Sequence, residues 1–216
     1  GPLFANIVLA DEINRTSPRT QAALLEAMEE QQVTIDRTTH PLPNPFFVIA
    51  TRNPYEVHGT FPLPDGQTDR FLISLSLGLP DRSSEHQLVR DQLVRHPLDQ
   101  LKPVVDAAQI VDLQAAVREI KVADSVLNYA LDIVDATRNH ADISLGASPR
   151  ASIALVHTCQ GLAFAQGRSY VIPDDMQKAA VPVLAHRIVL KRRSSLRGQG
   201  AAGIIDSIVA SRRVPV

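Results

Sequence analysis

The stretch Ile7-Val8-Leu9-Ala10-Asp11-Glu12, an unbroken apolar run that ends in two acids, decides the fold class of this chain. Four successive apolar residues are too continuous for a half-exposed strand and are typical of a strand that is covered on both faces. We therefore expect a central strand here. In an open α/β sheet, the two carboxylates that follow such a strand stand at the carboxyl edge, where ligands bind.

The segments that follow this strand have the order of a parallel α/β sheet. A capping Ser17 followed by proline predicts a helix over 18–31. A small hairpin is expected over 32–42, a buried strand over 46–51 and an alternating strand over 72–77. Strands that alternate with a helix in this way predict an α/β core with a parallel sheet.

The sequence changes character after Pro80 and is predicted to be helical from there on, apart from a short extended stretch near 170–172. We predict a core over 1–80, a linker over 81–105 that contains Pro97 and Pro103, and an all-helical unit over 106–216. The expected helices are a segment capped at 83–85 that ends near 95, and the segments 109–120, 123–139, 148–166 and 173–191.

The composition is that of a soluble globular protein. The 216 residues are 44% hydrophobic and 21% charged, and 22 Lys and Arg balance 23 Asp and Glu. No apolar run approaches the ~20 residues that a membrane span requires, so we expect none. The single cysteine, Cys159, cannot form an intrachain disulfide, which suits the reducing cytoplasm, and we expect a cytoplasmic protein.

Asp11 and Glu12 carry the first candidate chemistry. An acid at the edge of a sheet can hold Mg²⁺ through its oxygen shell, and its neighbour can orient or deprotonate an attacking water. The pair therefore suggests phosphoryl transfer. The alternative is an ordinary acidic loop, because many strands end in such loops.

Three further side chains could act on phosphate. Asn53 at the tip of the strand over 46–51 could bind a γ-phosphate and water, or it could merely cap a proline turn. Arg70 could reach a neighbouring subunit's phosphate, although by itself a surface pair with Asp65 or Asp69 is favoured. Arg150 lies in the first turn of a predicted helix, where a cation costs about 0.3–1 kcal/mol unless an anion compensates. A phosphate could compensate, or Arg150 could be an exposed arginine whose cost is screened by solvent.

Four blocks of this sequence together resemble the MoxR family of AAA+ ATPases. They are GPLFANIVLADEINRTSPRTQAALLEAMEEQQVTID, PLPNPFFVIATRNP, GTFPLPDGQTDRF and GASPRAS. The resemblance covers nearly the whole chain and implies part of a P-loop NTPase sheet followed by a helical lid. It places Asp11 as the Mg²⁺ partner, through water, and Glu12 as the water activator. It makes Asn53 the first sensor, Arg70 an arginine finger that acts across a subunit boundary, and Arg150 the second sensor on the lid.

The same resemblance implies a function and partners. The family binds and hydrolyses ATP with Mg²⁺, forms rings that we expect to be hexameric, and acts like a chaperone that matures other proteins, often with a von Willebrand A domain partner. The main departure from the family is that no G-x-x-x-x-G-K-[S/T] phosphate loop occurs in the sequence; smaller departures are Arg52 and Gly66-Gln67-Thr68. We therefore expect the chain to be the C-terminal two thirds of an ATPase and to be inactive alone.

Two other functions stay open. Without a phosphate loop, the chain could be a non-enzymatic interaction module that binds partners or intact rings. It could also bind nucleic acid through a basic C-terminal region, although we regard nucleic acid as the less favoured partner and a solvated helical face as the simpler explanation. That region contains Arg187, Lys191, Arg192, Arg193, Arg197, Arg212 and Arg213 against one acid, Asp206.

Overall fold

The computed structural model describes residues 1–53, 60–93, 96–192 and 200–215. Its strands in these ranges are β1 (Ile7–Ala10), β2 (Gln32–Ile35), β3 (Thr38–Pro41), β4 (Phe47–Ala50), β5 (Ile143–Leu145) and β6 (Val189–Leu190). The α-helices are α1 (Pro18–Glu30), α2 (Asp65–Thr68), α3 (Arg82–Gln92), α4 (Ala107–Arg118), α5 (Asp124–Arg138), α6 (Pro149–Ala165), α7 (Pro173–Leu184) and α8 (Ala201–Ser211). In the described ranges, no helix is both long enough and apolar enough to cross a membrane.

The α/β core is built on a parallel pair of strands, as predicted. β1 lies beside β4 in a register that places Ile7 opposite Phe47 and Ala10 opposite Ala50. The two strands therefore end at the same edge, and the residues that follow them are neighbours.

The expectation that β1 is central and covered on both faces is wrong for the described residues. There β1 pairs with β4 alone, and Ile7 and Leu9 are 66% and 64% exposed. Phe47 and Ile49 on β4 are 57% and 45% exposed. Because side chains alternate along a strand, these four form one apolar face, which we call the open face. No described element covers the open face.

Helix α1 covers the opposite side of the sheet. Its N-cap is Ser17, whose hydroxyl accepts from the N–H of Thr20, and Pro18 is the first helical residue. Leu24 and Leu25 are buried. The predicted hairpin follows as β2 and β3, with Asp36 and Arg37 in a two-residue turn at positive φ, the geometry that favours a tight hairpin.

The strand predicted over 72–77 is wrong, because this segment forms no ladder with a described strand. Its backbone turns to the helical unit instead: the N–H of Ser74 donates to the carbonyl oxygen of Pro182 at 2.9 Å. Farther along, Leu77 and Leu79 are 98% and 95% exposed. The alternating pattern identified an apolar segment, but its pairing depends on a neighbouring strand.

The helical unit holds the main hydrophobic core. Helices α5, α6, α7 and α8 bury one cluster whose largest members include Ile133, Leu155, Met176, Leu184 and Ile205. Cys159 lies in the same cluster beside the sulfur of Met176. Burial, together with the charge of Asp175, raises the pKa of the Cys159 thiol to about 12, so this cysteine is a core residue.

The prediction of an all-helical unit needs three corrections. The helix predicted to reach residue 191 ends at Leu184, two residues after Pro182. The chain then enters β6, which pairs antiparallel with β5, so the unit contains a short ladder. Helix α8 was not predicted, because its N-terminal region is rich in glycine and alanine and lacks a polar capping residue.

Candidate functional site

Thr51 joins the two acids at the carboxyl end of β1. Its hydroxyl donates to Oδ1 of Asp11 at 2.5 Å and accepts from the backbone N–H of Glu12 at 2.9 Å. Its own N–H and carbonyl extend the pairing of β4 with β1, to Ala10 and Ile13. The parallel register thus fixes both acidic residues at one edge of the sheet, where the sequence placed them.

Glu12 has an unusual backbone for a residue that is not glycine. Its φ is 49° and its ψ is 51°, in the left-handed region. Its carboxylate is partly exposed and pairs with Arg15 at 3.1 Å. Such strain persists only where neighbouring contacts impose it and is frequent at functional sites. Here the bond to Thr51 and the short 3₁₀ turn after Glu12 impose it.

Asn53 lies three residues beyond the end of β4 and is partly buried. Because Thr51 already contacts both acids, the parallel pairing brings the backbone that carries Asn53 to the same edge. Residues 54–59, which include the proline turn predicted after Asn53, lie outside the described ranges.

Arg70 and Arg150 come together on a carboxylate that the sequence did not single out. Oε2 of Glu29 lies 3.1 Å from Nη1 of Arg70, and Oε1 accepts from Nη2 of Arg150 at 2.6 Å. Glu29 is in the last turn of α1, Arg70 follows α2, and Arg150 is in the first turn of α6. The surface pair of Arg70 with Asp65 or Asp69 is therefore not the pairing that forms.

Asp69 is the second carboxylate of this cluster. Its Oδ2 accepts from the hydroxyl of Ser148 at 2.8 Å and lies 3.7 Å from Nη1 of Arg150. Ser148 occupies the N-cap position of α6, as predicted, but its side chain makes no capping bond. The hydroxyl instead connects the lid to the residue before Arg70.

Arg187 fastens the Arg70 segment to the helical unit. Its buried guanidinium donates to Oδ1 of Asp69 at 3.0 Å and to the carbonyl oxygens of Asp69, Phe71, Leu72 and Val183. Burial lowers the pKa of Arg187, and the charge of Asp69 opposes that shift. Arg187 therefore binds groups inside the molecule, and its placement in a basic surface region was wrong. We call its set of bonds to residues 69–72 the clamp of Arg187. Lys191 from the same region donates to the carbonyl oxygen of Ala141.

His186 adds a contact beside this clamp. Its Nε2 lies 3.0 Å from the carbonyl oxygen of Phe71, and its Nδ1 is buried with no partner among the described residues. Burial lowers the pKa of His186, and the neighbouring charge of Arg187 acts in the same direction, while the bond to Phe71 and the charge of Asp69 oppose it. The neutral ring is the favoured form here.

Gly146 sets where α6 and Arg150 begin. A Cβ at this position would lie 2.5 Å from Cα of Arg138, so only glycine allows so close a packing on α5. The next residue, Ala147, donates its N–H to the hydroxyl of Thr137 and accepts from Nε of Arg138, both at 2.9 Å. The backbone of residues 146–147 is therefore fixed against α5, immediately before α6 begins and positions Arg150.

The structure thus gathers the predicted site residues into two groups. Asp11, Glu12 and Asn53 lie at the sheet edge, and Arg70 and Arg150 both contact Glu29. Among the described residues, no hydrogen bond or ion pair joins the two acids to either arginine. Sequence reasoning missed Thr51 and Glu29, and it gave Asp69 and Arg187 other roles: a surface partner of Arg70 and a member of a basic region. A hydroxyl at the end of a strand beside two acids was a usable signal for Thr51, whereas the others depend on the packing of the helical unit.

The donors at the sheet edge suit Mg²⁺ only in part. Among the described residues, no group of three or more His, Cys, Asp or Glu side chains could hold a metal ion. Mg²⁺, however, is commonly held by one or two carboxylates together with water and substrate phosphates. Asp11 is exposed and has an oxygen beyond the one bonded to Thr51, so it fits that limited role.

Comparison with known proteins identifies both parts of the chain. Residues 1–73 match the model of the ATPase family associated with various cellular activities (AAA), and residues 135–208 match that of the AAA lid domain. The uncharacterized protein YeaC of Bacillus subtilis is 47% identical over the whole chain, which spans 68% of YeaC. Chaperone MoxR1 of Mycobacterium tuberculosis is 39% identical over 88% of the chain, which corresponds to 52% of MoxR1.

A solved structure agrees with these sequence matches. The crystal structure of a proposed ATPase from Cytophaga hutchinsonii superposes on the whole chain with a TM-score of 0.94 at 36% identity, and the chain covers 68% of that protein. The fold is therefore the partial α/β core of a P-loop NTPase followed by a mostly helical lid. The chain belongs to the MoxR family of AAA+ ATPases.

Proposed function

We propose that the protein to which this chain belongs hydrolyses ATP and uses the reaction to remodel or mature protein clients, as a chaperone does. The observation that carries the proposal is the pair of acids held by Thr51 at the carboxyl edge of a parallel sheet. Such an edge is where open α/β folds bind ligands. The relative named Chaperone MoxR1 supports the chaperone-like role.

In the proposed reaction, Glu12 orients the attacking water and takes its proton, and Asn53 binds the γ-phosphate. Asp11 would hold Mg²⁺ through water, and the ion when bound would neutralise charge on the phosphate oxygens. The left-handed backbone of Glu12 supports this role, because the hydrogen bond from its N–H to the Thr51 hydroxyl fixes the backbone from which the carboxylate extends. The phosphate loop would be supplied by polypeptide outside these 216 residues.

We assign Arg70 and Arg150 to the stabilisation of transition-state charge. Arg70 would act across a subunit boundary in a ring, which we propose to be hexameric. Because Glu29 joins Arg150 to Arg70, we propose that both arginines act on one nucleotide. A von Willebrand A domain protein is the proposed partner class, and the cytoplasm is the proposed compartment because the one cysteine is buried and unpaired.

The open face supports the view that more polypeptide completes the core. Parallel sheets are covered on both faces in folded α/β proteins, whereas Ile7, Leu9, Phe47 and Ile49 are exposed in the described residues. We propose that the segment carrying the phosphate loop covers this face in the whole protein.

Replacing Glu12 by Gln in the full-length protein tests the reaction. We expect steady-state turnover to fall by a factor of about 10²–10⁴, because the general base is lost, while ATP binding measured by calorimetry is retained. Asp36→Asn is the matched control, since Asp36 is also an acid at positive φ but lies in the exposed hairpin turn. Turnover that survives Glu12→Gln would exclude this role for Glu12.

Calorimetric titration of the 216-residue chain with Mg·ATP, beside the full-length protein, tests whether the chain binds nucleotide without a phosphate loop. We expect only the full-length protein to bind, because the backbone cradle of a phosphate loop is needed to hold the β- and γ-phosphates. Binding by the short chain would mean that other groups hold the phosphates. A full-length protein that neither binds nor hydrolyses ATP would favour the non-enzymatic interaction module.

A further inference from the structure

Glu29 makes contacts that the proposed reaction does not yet explain. One of its carboxylate oxygens faces Arg70 and the other faces Arg150, at 3.1 Å and 2.6 Å. The two arginines come from different parts of the chain, one from the core and one from the lid. A single carboxylate therefore sets the distance and the relative orientation of the two guanidinium groups.

The positions of Glu29 and Arg150 in their helices are unfavourable for helix stability. Glu29 is in the last turn of α1, where the helix dipole disfavours an acid, and Arg150 is in the first turn of α6, where it disfavours a cation. Each charge compensates the other across the contact between core and lid. This pairing of two locally unfavourable charges indicates a function beyond the stability of either helix.

Both guanidinium groups keep donors for a further anion. A guanidinium has five N–H donors, and Glu29 faces one nitrogen of each arginine. The side chains of Arg70 and Arg150 are 32% and 50% exposed, and Nη1 of Arg150 is 3.7 Å from Asp69, beyond hydrogen-bonding distance. Glu29 can thus hold one edge of each group while the other donors bind phosphate oxygens.

We infer that Glu29 is a positioning residue that holds Arg70 and Arg150 in one orientation toward the phosphates of the same nucleotide. The inference rests on the proposed ATPase function and adds a residue to it. Glu29 contacts neither water nor phosphate in this role and acts only through the two arginines. The clamp of Arg187 holds the backbone at Asp69, next to Arg70. Glu29 therefore needs to fix only the side chain of Arg70.

The test is single-turnover and steady-state hydrolysis of ATP by the full-length protein and its Glu29→Gln variant. Gln keeps the size of the side chain and removes its charge. We expect kcat to fall roughly tenfold, because misplaced catalytic groups lose rate steeply, while KM changes by less than about threefold. Glu30→Gln is the matched control: it removes the same charge from the adjacent exposed residue, and we expect it to leave kcat unchanged.

A double-mutant comparison separates positioning from structural support. In the Arg70→Ala/Arg150→Ala background, Glu29→Gln should lower the single-turnover rate less than about twofold, because the residues through which it acts are gone. An equal loss in both backgrounds, or wild-type kcat for Glu29→Gln, would overturn the inference. If Arg70→Ala itself leaves turnover intact, the proposed role of Arg70 fails, and the positioning role of Glu29 fails with it.

Discussion

The helical lid buries its large apolar side chains, whereas the α/β core leaves several of its own exposed. In the lid, helices α5 to α8 bury Ile133, Leu155 and Ile205 completely. In the core, the two strands leave Leu9 and Phe47 more than half exposed on the open face. The lid can therefore cover its own apolar surface, whereas the sheet needs a further layer.

The difference follows from the geometry of the two kinds of element. An amphipathic helix has one apolar stripe, and neighbouring helices can cover it. In the lid these neighbours follow one another along the chain. A strand in a parallel sheet has two faces and two edges, and its partners come from distant segments. Helix α1 covers only one face of this sheet.

The largest effect should come from matched truncations in the two regions. In this chain, Leu155→Ala should lower the free energy of unfolding by about 3 kcal/mol, because it leaves a cavity in a buried cluster. Leu9→Ala should change it by about 0.5 kcal/mol or less, because the side chain is already exposed. Urea denaturation followed by circular dichroism measures both values.

The same two substitutions in the full-length protein test whether the core and the lid still differ in the burial of these side chains. If the phosphate-loop segment covers the open face, Leu9→Ala should there cost about 2 kcal/mol, close to the cost in the lid. A cost that stays near zero in the full-length protein would show that the open face is not covered by the rest of the chain.

A smaller effect should come from two glycines of the lid. Gly146→Ala should destabilise the lid by about 2 kcal/mol, because the new Cβ would overlap the backbone of Arg138. Gly161→Ala in α6 meets no atom within 4 Å and should stabilise the protein by about 0.5–1 kcal/mol, since alanine favours the helix. Thermal unfolding of both variants checks the signs; stabilisation by Gly146→Ala would contradict the close packing that places Arg150.

The smallest effect concerns pH at the contact between core and lid. Because the pKa of folded His186 is lowered, mainly by burial, the unfolded chain binds its proton more readily, and the contribution of the neutral ring is complete only above its ordinary pKa of 6.5. We expect stability to fall as the pH drops from about 7.5 to about 5.5. His186→Gln, which can still donate to Phe71, should reduce this pH dependence in urea titrations; an unchanged dependence would rule out His186 as its source.

Local patterns predicted much of the fold. Ser17-Pro18 predicted the start of α1, and the apolar runs predicted β1 and β4 and their parallel pairing. The strand over 72–77 failed because an alternating pattern does not supply a partner, and the segment bonds to the lid through Ser74 and Arg187 instead. The helix over 173–191 was too long because β6 pairs with β5, which is distant in sequence.

By itself the sequence determined the family, the strands β1 and β4 and the position of the two acids directly after β1, because each depends on a local stretch of residues. Only the tertiary structure decided what Arg70, Arg150 and Arg187 bind. Their partners, Glu29 and Asp69, lie as many as 121 positions away. The pair of Arg70 with Glu29 forms only when the core folds, and the pairs of Arg150 and Arg187 form only when the lid packs against the core. One sequence contains no local signal of these contacts.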